Sequence, residues 1–443
     1  MNPRDQQILR IALPSIVSNI TVPLLGLIDV AITGHLGNGA YIGAIAVGGM
    51  LFNIIYWMFA FLRMGTSGMT AQALGARRLD NACSHLLRSC LIALAISVLL
   101  LCLQMPVREL ALGLISPEAD VADFSRTYFT ICIWGAPPSL LLFALSGWYV
   151  GMQNTRIPML VAIVQNMANI LFSLFLVYIL KMKIEGVALG TVLAQYTGLG
   201  VAVGMLLRFY LPRLKGYVNR TSIIDKRAFV NFFMVNKDIF MRTLCLIFVH
   251  FFFIAAGARF GSNILAVNAL LMQLFTLYSY FMDGFAYAGE AMVGKAVGAH
   301  NRTMYSETVS RLFRWGGLMV IVFTLTYAIL GLPFLSLLTD EPAVLAEARH
   351  YWAWVLLFPL CGMAAFIWDG IFIGATRTKS MLMSVAGGML VFVGVFYVFA
   401  PMLEAHALWL AFVSYLAARG LIASVLPPTP STPSAASGTP HAG

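Results

Sequence analysis

Gln72-Ala-Leu-Gly-Ala76 returns 223 residues later as Lys295-Ala-Val-Gly-Ala299, and Gly147-x-x-x-Gly151-x-x-x-Thr155-Arg156 returns at the same offset as Gly370-x-x-x-Gly374-x-x-x-Thr378-Lys379. The chain is a duplicated unit. Around these marks 60% of the 443 residues are hydrophobic and only 10% are charged, with a mean hydropathy of +0.85. A soluble chain is about half apolar and about a quarter charged. The sequence therefore describes a polytopic membrane protein built twice.

A span needs about 20 apolar residues to cross a hydrocarbon core of about 30 Å. Twelve stretches qualify: 8–33, 41–63, 84–105, 127–150, 157–181, 186–207, 238–258, 263–287, 312–338, 350–373, 380–401 and 406–425. Six fall in each half, and an even number per half makes the repeats parallel, related by an axis along the membrane normal. The fold class is all-α, with twelve transmembrane helices in two six-helix lobes. The expected divisions are a first lobe over 1–207, a connector over 208–237, a second lobe over 238–426 and a structureless tail over 427–443. The tail's Pro, Ser, Thr, Ala and Gly cannot bury a core.

The formal charge of +10 does not imply nucleic acid, because the basic residues are dispersed among loops. Alternate loops carry 18 Lys or Arg and the opposite loops carry 6. The positive-inside rule puts the first set, and both termini, in the cytoplasm. The first span holds Pro14, Asn19, Pro23 and Asp29 and is too long for a signal-peptide core, so it is retained. The six cysteines form no C-x-x-C pair, and neither a disulfide, a metal nor a cofactor is expected. Gly289-Glu-Ala-Met-Val-Gly294-Lys295-Ala296 misses a phosphate loop by its last residue, where a hydroxyl is needed, and no hydrolase or zinc motif occurs. The short loops leave no room for a catalytic or nucleotide-binding domain. An enzyme is not expected, and energy for any movement of solute must come from a gradient.

Carboxylates inside spans are the strongest local signal, since a charge in hydrocarbon is costly unless it faces a cavity or a partner. Four qualify: Asp29, Asp283, Glu290 and Asp369. Asp29 lies six residues after Pro23, whose missing backbone donor permits a bend. It is the candidate proton-coupling group, or else a carboxylate fixed by hydroxyls such as Thr33. Asn166, Asn169 and Ser173 share one face of the fifth span, and Thr191 and Gln195 pair in the sixth. These residues line a cavity around Asp29 or hydrogen-bond between helices. Asp283, Tyr287 and Glu290 share a face of the eighth span, with Asp283 and Tyr287 as cavity residues and Glu290 as a gate. Asp369 is a cavity residue whose repeat mate is Ser146. Asp238 and Arg242, spaced i and i+4, read as an intrahelical pair. The 23 Met and 31 Phe residues suit a repackable lipophilic cavity or a lipid-facing surface.

With Ala12-Leu-Pro-Ser15, Asn19-Ile-Thr-Val-Pro-Leu-Leu-Gly-Leu-Ile-Asp29, Gly34-His-Leu-Gly37, Gly151-Met-Gln-Asn-Thr-Arg156, Asp283-Gly-Phe-Ala-Tyr-Ala-Gly-Glu290 and Asp369-Gly-Ile-Phe-Ile-Gly-Ala-Thr-Arg377, the chain resembles the multidrug and toxic compound extrusion (MATE) transporters and their DNA-damage-inducible protein F (DinF) branch. The resemblance runs over about residues 5 to 425. It implies V-shaped lobes and export of drugs or toxic metabolites in exchange for protons, by a monomer in the bacterial inner membrane. It also implies proton coupling at Asp29 and cavity roles for Asn169 and Thr191. Ser173 stands where members often carry an Asp, which places more of the coupling on Asp29. The alternatives are a sodium-coupled exporter and a lipid-linked oligosaccharide flippase of the same superfamily. The flippase ranks lower because its interior would carry buried arginines, whereas the spans here read as acidic.

Overall fold

The computed structural model describes residues 2–34, 39–115, 118–217, 225–339 and 341–426, and the regular elements among them are helical. Helix is what an apolar chain must adopt in lipid, because each backbone donor finds its acceptor within the segment. The first lobe contains α1 (Pro3–Gly34), α2 (Gly39–Met58), α3 (Phe61–Gly75), α4 (Leu79–Cys102), α5 (Gln104–Ile115), α6 (Ala119–Cys132), α7 (Ala136–Gly151), α8 (Arg156–Leu174) and α9 (Ile184–Met205). After the short α10 (Leu211–Leu214), the second lobe contains α11 (Lys226–Ala258), α12 (Ser262–Gly298), α13 (Arg302–Leu338), α14 (Pro342–Gly374), α15 (Thr378–Leu403) and α16 (Ala405–Val425).

Among the described residues eleven spans are long and apolar enough to cross a bilayer, with α2 and α3 forming one and α6 and α7 another. The 32-residue α1 precedes them in the place of the first span. At the 223-residue offset Gly39–Gly75 falls on Ser262–Gly298, and Ala119–Gly151 on Pro342–Gly374. Backbone turns repeat too. Among the described residues the six non-glycine residues with positive φ form three pairs at that offset: Arg77 and His300 (57° and 51°), Gln153 and Thr376 (63° and 52°), Lys181 and Glu404 (55° and 47°).

Two details differ from the linear reading. The spans expected over 41–63 and 263–287 belong to 37-residue helical stretches, about 55 Å long at 1.5 Å per residue. Hydropathy fades after Phe61, but helix continues because Gly65, Ser67, Gly68 and Thr70 pack in the interior rather than face lipid. Residues 226–237, assigned to the connector, form the first turns of α11. Residues 427–443 lie outside the described residues, as do the side chains of Pro23, Asp29 and Thr33.

The lobes exchange the first halves of their first helices. Ile8, Ile11, Ala12 and Ile16 of α1 are buried in the core of the second lobe, while Ile32 of the same helix is buried in that of the first. In α11, Phe232 packs with Leu62 of the first lobe, whereas Val249, Phe253 and Ala256 join the second. The exchange depends on close backbone approach. A Cβ at Gly284 would lie 2.4 Å from Ile16 Cγ1 and 2.8 Å from the Ala12 carbonyl oxygen. The ends of α3 and α12 also touch reciprocally: a Cβ at Gly75 would lie 2.1 Å from the Lys295 carbonyl oxygen, and one at Gly298 would lie 2.0 Å from that of Gln72.

Candidate functional site

The polar residues of the first lobe converge between α8 and α9. Asn169, 1% exposed, donates from Nδ2 to Thr191 Oγ1 at 3.1 Å, and Thr191 donates to the Val187 carbonyl at 3.1 Å. Asn169 Oδ1 and Ser173 Oγ are buried without a hydrogen-bond partner among the described residues. Leaving such a group unpaired costs about 1–3 kcal/mol. Asn166 Nδ2 reaches across to the Thr21 carbonyl of α1 at 3.1 Å. Gln195 lies one turn beyond Thr191, against Gly135, where a Cβ would sit 1.7 Å from its Oε1. The structure thus joins Asn166, Asn169, Ser173 and Thr191 around the α8/α9 contact and sets Gln195 at its edge.

The duplication gives this cluster a counterpart. At the 223-residue offset Asp29, Asn169 and Ser173 fall on Phe252, Phe392 and Phe396. Phe252 packs its ring edge to face on the other two at centroid distances of 5.4 and 5.3 Å. The same three places are aromatic and mutually packed in one lobe and polar in the other.

The second lobe carries charge elsewhere. Asp369, 6% exposed, accepts at Oδ2 from Arg242 and, at 2.7 Å, from Arg419; Arg419 also donates to Tyr415 Oη at 3.2 Å. The pair expected between Asp238 and Arg242 is not formed. Asp238 instead accepts from Thr378 at 3.0 Å, because Arg242 turns inward to the carboxylate on α14. Asp369 is held by these two guanidiniums.

Glu290 is held from the opposite lobe. Arg63 donates from Nη1 and Nη2 to its two carboxylate oxygens at 3.2 and 3.3 Å, and the guanidinium lies 4.1 Å from the centre of the Tyr287 ring. Asp283 is half-buried and makes no hydrogen bond or ion pair among the described residues. Its charged neighbours are Arg63, Arg242, Asp369 and Glu290. The interior is therefore not simply acidic: Arg63, Arg242 and Arg419 stand against Asp283, Glu290 and Asp369. The acidic reading of the spans overlooked these arginines because they sit singly inside apolar windows, yet that isolation is itself the signal.

A second set of contacts joins the lobes near the start of the chain. Arg4 pairs with Glu307 at 2.5 Å, and Asp5 accepts from Arg311 at 2.7 Å and from Trp315 at 3.2 Å. Partial burial would raise the Asp5 carboxyl. Hydrogen bonds from Arg311 and Trp315 and the charges of Arg311 and Arg314 outweigh it and hold the group below the ordinary carboxylate range. Further inter-lobe hydrogen bonds run from Gln72 to the Gly374 carbonyl at 2.9 Å and from Gln153 to the Ala291 carbonyl at 3.3 Å. Asn19 donates to the Tyr280 carbonyl at 3.3 Å.

The MatE family profile matches twice, over residues 14–175 and 239–398, once in each lobe. The chain is 37% identical over 422 residues to the DNA damage-inducible protein F of Escherichia coli (strain K12), covering 94% of this chain and 90% of that protein. It is 21% identical over 355 residues to the probable multidrug resistance protein NorM of Thermotoga maritima, covering 78% and 74%. Among solved structures, MATE in the straight conformation superposes with a TM-score of 0.86 at 17% identity, over 96% of this chain and 95% of that one. The bent conformation gives 0.84 at 18% identity over the same shares.

Proposed function

The chain belongs to the MatE family, and we propose that it is a proton-coupled antiporter exporting amphiphilic or cationic small organic molecules by alternating access in a bacterial inner membrane. Membership makes it a multi-pass efflux transporter rather than an enzyme. The observation that carries the finer reading is the division of α1 between the lobes: residues 8–16 are anchored in the second lobe, whereas Asp29 lies on the half anchored in the first. A change of charge at Asp29 then acts on a helix that both lobes hold, with Pro23 between the anchors as the place to bend.

The surroundings support Asp29 as the coupling group. Its repeat mate Phe252 touches the mates of Asn169 and Ser173, and Asn169 Oδ1 and Ser173 Oγ are among the buried oxygens that lack a partner among the described residues. Should the repeat put Asp29 in the place that Phe252 takes in the other lobe, its ionised form would favour a hydrated, cation-attracting cavity, and its protonated form would give that cavity up. Substrate and proton compete, and each weakens the other's binding by the same factor. Asp283, with Arg63, Tyr287 and Glu290, lines the cleft between lobes, and Glu290 serves as a gate closed by Arg63. Asp369 is better read as a structural counter-ion than as a substrate group, because its Oδ2 already holds two guanidiniums.

By the positive-inside reading the joined ends are cytoplasmic, which corresponds to an outward-facing state. The same unpartnered oxygens favour a second reading, a sodium ion held by Asp29, Asn169 and Ser173, since a hard cation takes neutral and anionic oxygens alike. Dye efflux from proteoliposomes under an imposed pH gradient, and separately under a sodium gradient, tests both. Efflux driven by the pH gradient alone is expected. Efflux driven only by sodium would transfer the coupling to that ion, and efflux with neither gradient would end the antiport reading.

A further inference from the structure

The helix ends that meet at Gly75 and Gly298 border a cavity of about 1070 Å³ that is lined by residues of both lobes and includes neither the α8/α9 polar cluster nor Asp283, Glu290 and Asp369. Its charged or titratable lining comes from Arg77, Arg78 and His85 of the first lobe and His300 of the second, with Asn231 and Thr376 among the neutral polar groups. No Asp or Glu lines it among the described residues, and Arg77, Arg78 and His300 make no ion pair there.

Helix-end electrostatics explains only part of this lining. Basic residues after a helix C-terminus offset the helix dipole, which suits Arg77 after α3 and His300 after α12. Those turns nonetheless need no side chain, because their backbone bonds close the helix ends: Arg78 N to Ala73 O at 2.9 Å, and Asn301 N to Ala296 O at 3.0 Å. Arg77 and His300 hold positive φ, where glycine would be easier, and keep long side chains at the cavity. Arg78 runs against the dipole altogether. It stands at the N-cap position of α4, with no capping hydrogen bond from its side chain, where a cation is unfavourable and an anion is favoured. Nearly two turns into α4, His85 Nδ1 is buried with no hydrogen-bond partner among the described residues.

We propose that this cavity binds a phosphate-bearing anion and that the anion, spanning the two lobes, holds them closed at this end. Guanidinium forks match phosphate oxygens in pairs, the α4 N-terminus adds its dipole, and His300 engages from the other lobe. The space exceeds one phosphate group, so the ligand is a phosphate ester or polyphosphate, supplied either as a lipid headgroup or as a soluble anion. A ligand that binds only the closed arrangement shifts the equilibrium toward it and slows each cycle. The side of the membrane and the effect on cycling rest on the alternating-access reading; the binding does not.

The test uses the purified full chain in nanodiscs. One arm titrates pyrophosphate into discs of phosphatidylcholine; the other replaces part of the phosphatidylcholine by phosphatidylglycerol with no soluble anion. Stabilisation against heat is read in both. Saturable stabilisation is expected in at least one arm, weakened roughly tenfold or more by Arg78→Gln and by His300→Gln. A response to pyrophosphate identifies a soluble occupant and a response to phosphatidylglycerol alone a headgroup. No stabilisation in either arm, or stabilisation indifferent to both substitutions, overturns the site. Sensitivity to only one of them overturns the bridging of lobes. A protein that moves no dye under any gradient but still binds would end the antiport reading and leave the site standing.

Discussion

Arg63 on α3 and Glu290 on α12 close a two-pronged ion pair between the lobes at 3.2 and 3.3 Å, with the Glu290 side chain 1% and the Arg63 side chain 12% exposed. Removing one member strands the other in low dielectric, at a cost of about 3–5 kcal/mol, whereas replacing both by apolar groups can be nearly neutral. Glu290→Leu and Arg63→Met should each lower the melting temperature more than the double substitution does. Additive losses in a double-mutant cycle would mean that the pair is not coupled.

Asp369 answers to two arginines, so its removal leaves two buried cations on one site. Asp369→Asn is expected to destabilise more than either Arg242→Met or Arg419→Met, by about 3–5 kcal/mol or more. Thermal unfolding in detergent ranks the three. An Asp369→Asn protein that folds normally and fails only in efflux would return Asp369 to the transport machinery.

Asp29→Asn should insert and fold, retaining the shape and hydrogen bonding of the side chain, yet lose gradient-driven efflux. The affinity of the wild-type protein for substrate should fall as pH decreases, and that dependence should vanish in the variant. Affinity that is flat from about pH 5 to pH 8 sinks the competition model.

The Asp5 contacts with Arg311 and Trp315 lower the folded-state pKa of its carboxyl below the unfolded value. Their contribution to stability is complete above the ordinary carboxylate range and is lost as pH falls toward the folded pKa. The melting-temperature difference between wild type and Asp5→Asn should stay constant from about pH 6 to pH 8 and shrink only in acid. A difference that grows on acidification would contradict the ion pair.

Gly298→Val would push a side chain into the Gln72 carbonyl, whose oxygen lies 2.0 Å from the ideal Cβ. Backbone cannot yield as a flexible side chain does, so the joined ends must part. Cysteines introduced at Ala76 and Ala299 should react faster with a membrane-impermeant thiol reagent in that background. Unchanged labelling would show that the contact does not hold the ends together.

The periodic marks at 72–76 and 295–299, the twelve apolar stretches and the loop charges were enough to determine a duplicated, all-helical, twelve-span chain, because lipid admits no other backbone arrangement for such segments. The polar faces of α8 and α9 were equally readable, since three- and four-residue spacing places Asn166, Asn169, Ser173, Thr191 and Gln195 without knowledge of the partner helices. Linear order could not assign partners across hundreds of residues. It suggested Arg242 for Asp238, four residues away, where the folded chain gives Arg242 to Asp369 and brings Arg63 to Glu290. It also gave α1 to the first lobe alone. Only the tertiary structure decided that half of that helix is buried in the second, because the decision lies in shape, in a glycine at 284 that lets Ala12 and Ile16 approach, which hydrophobicity cannot encode when apolar residues stand on both halves.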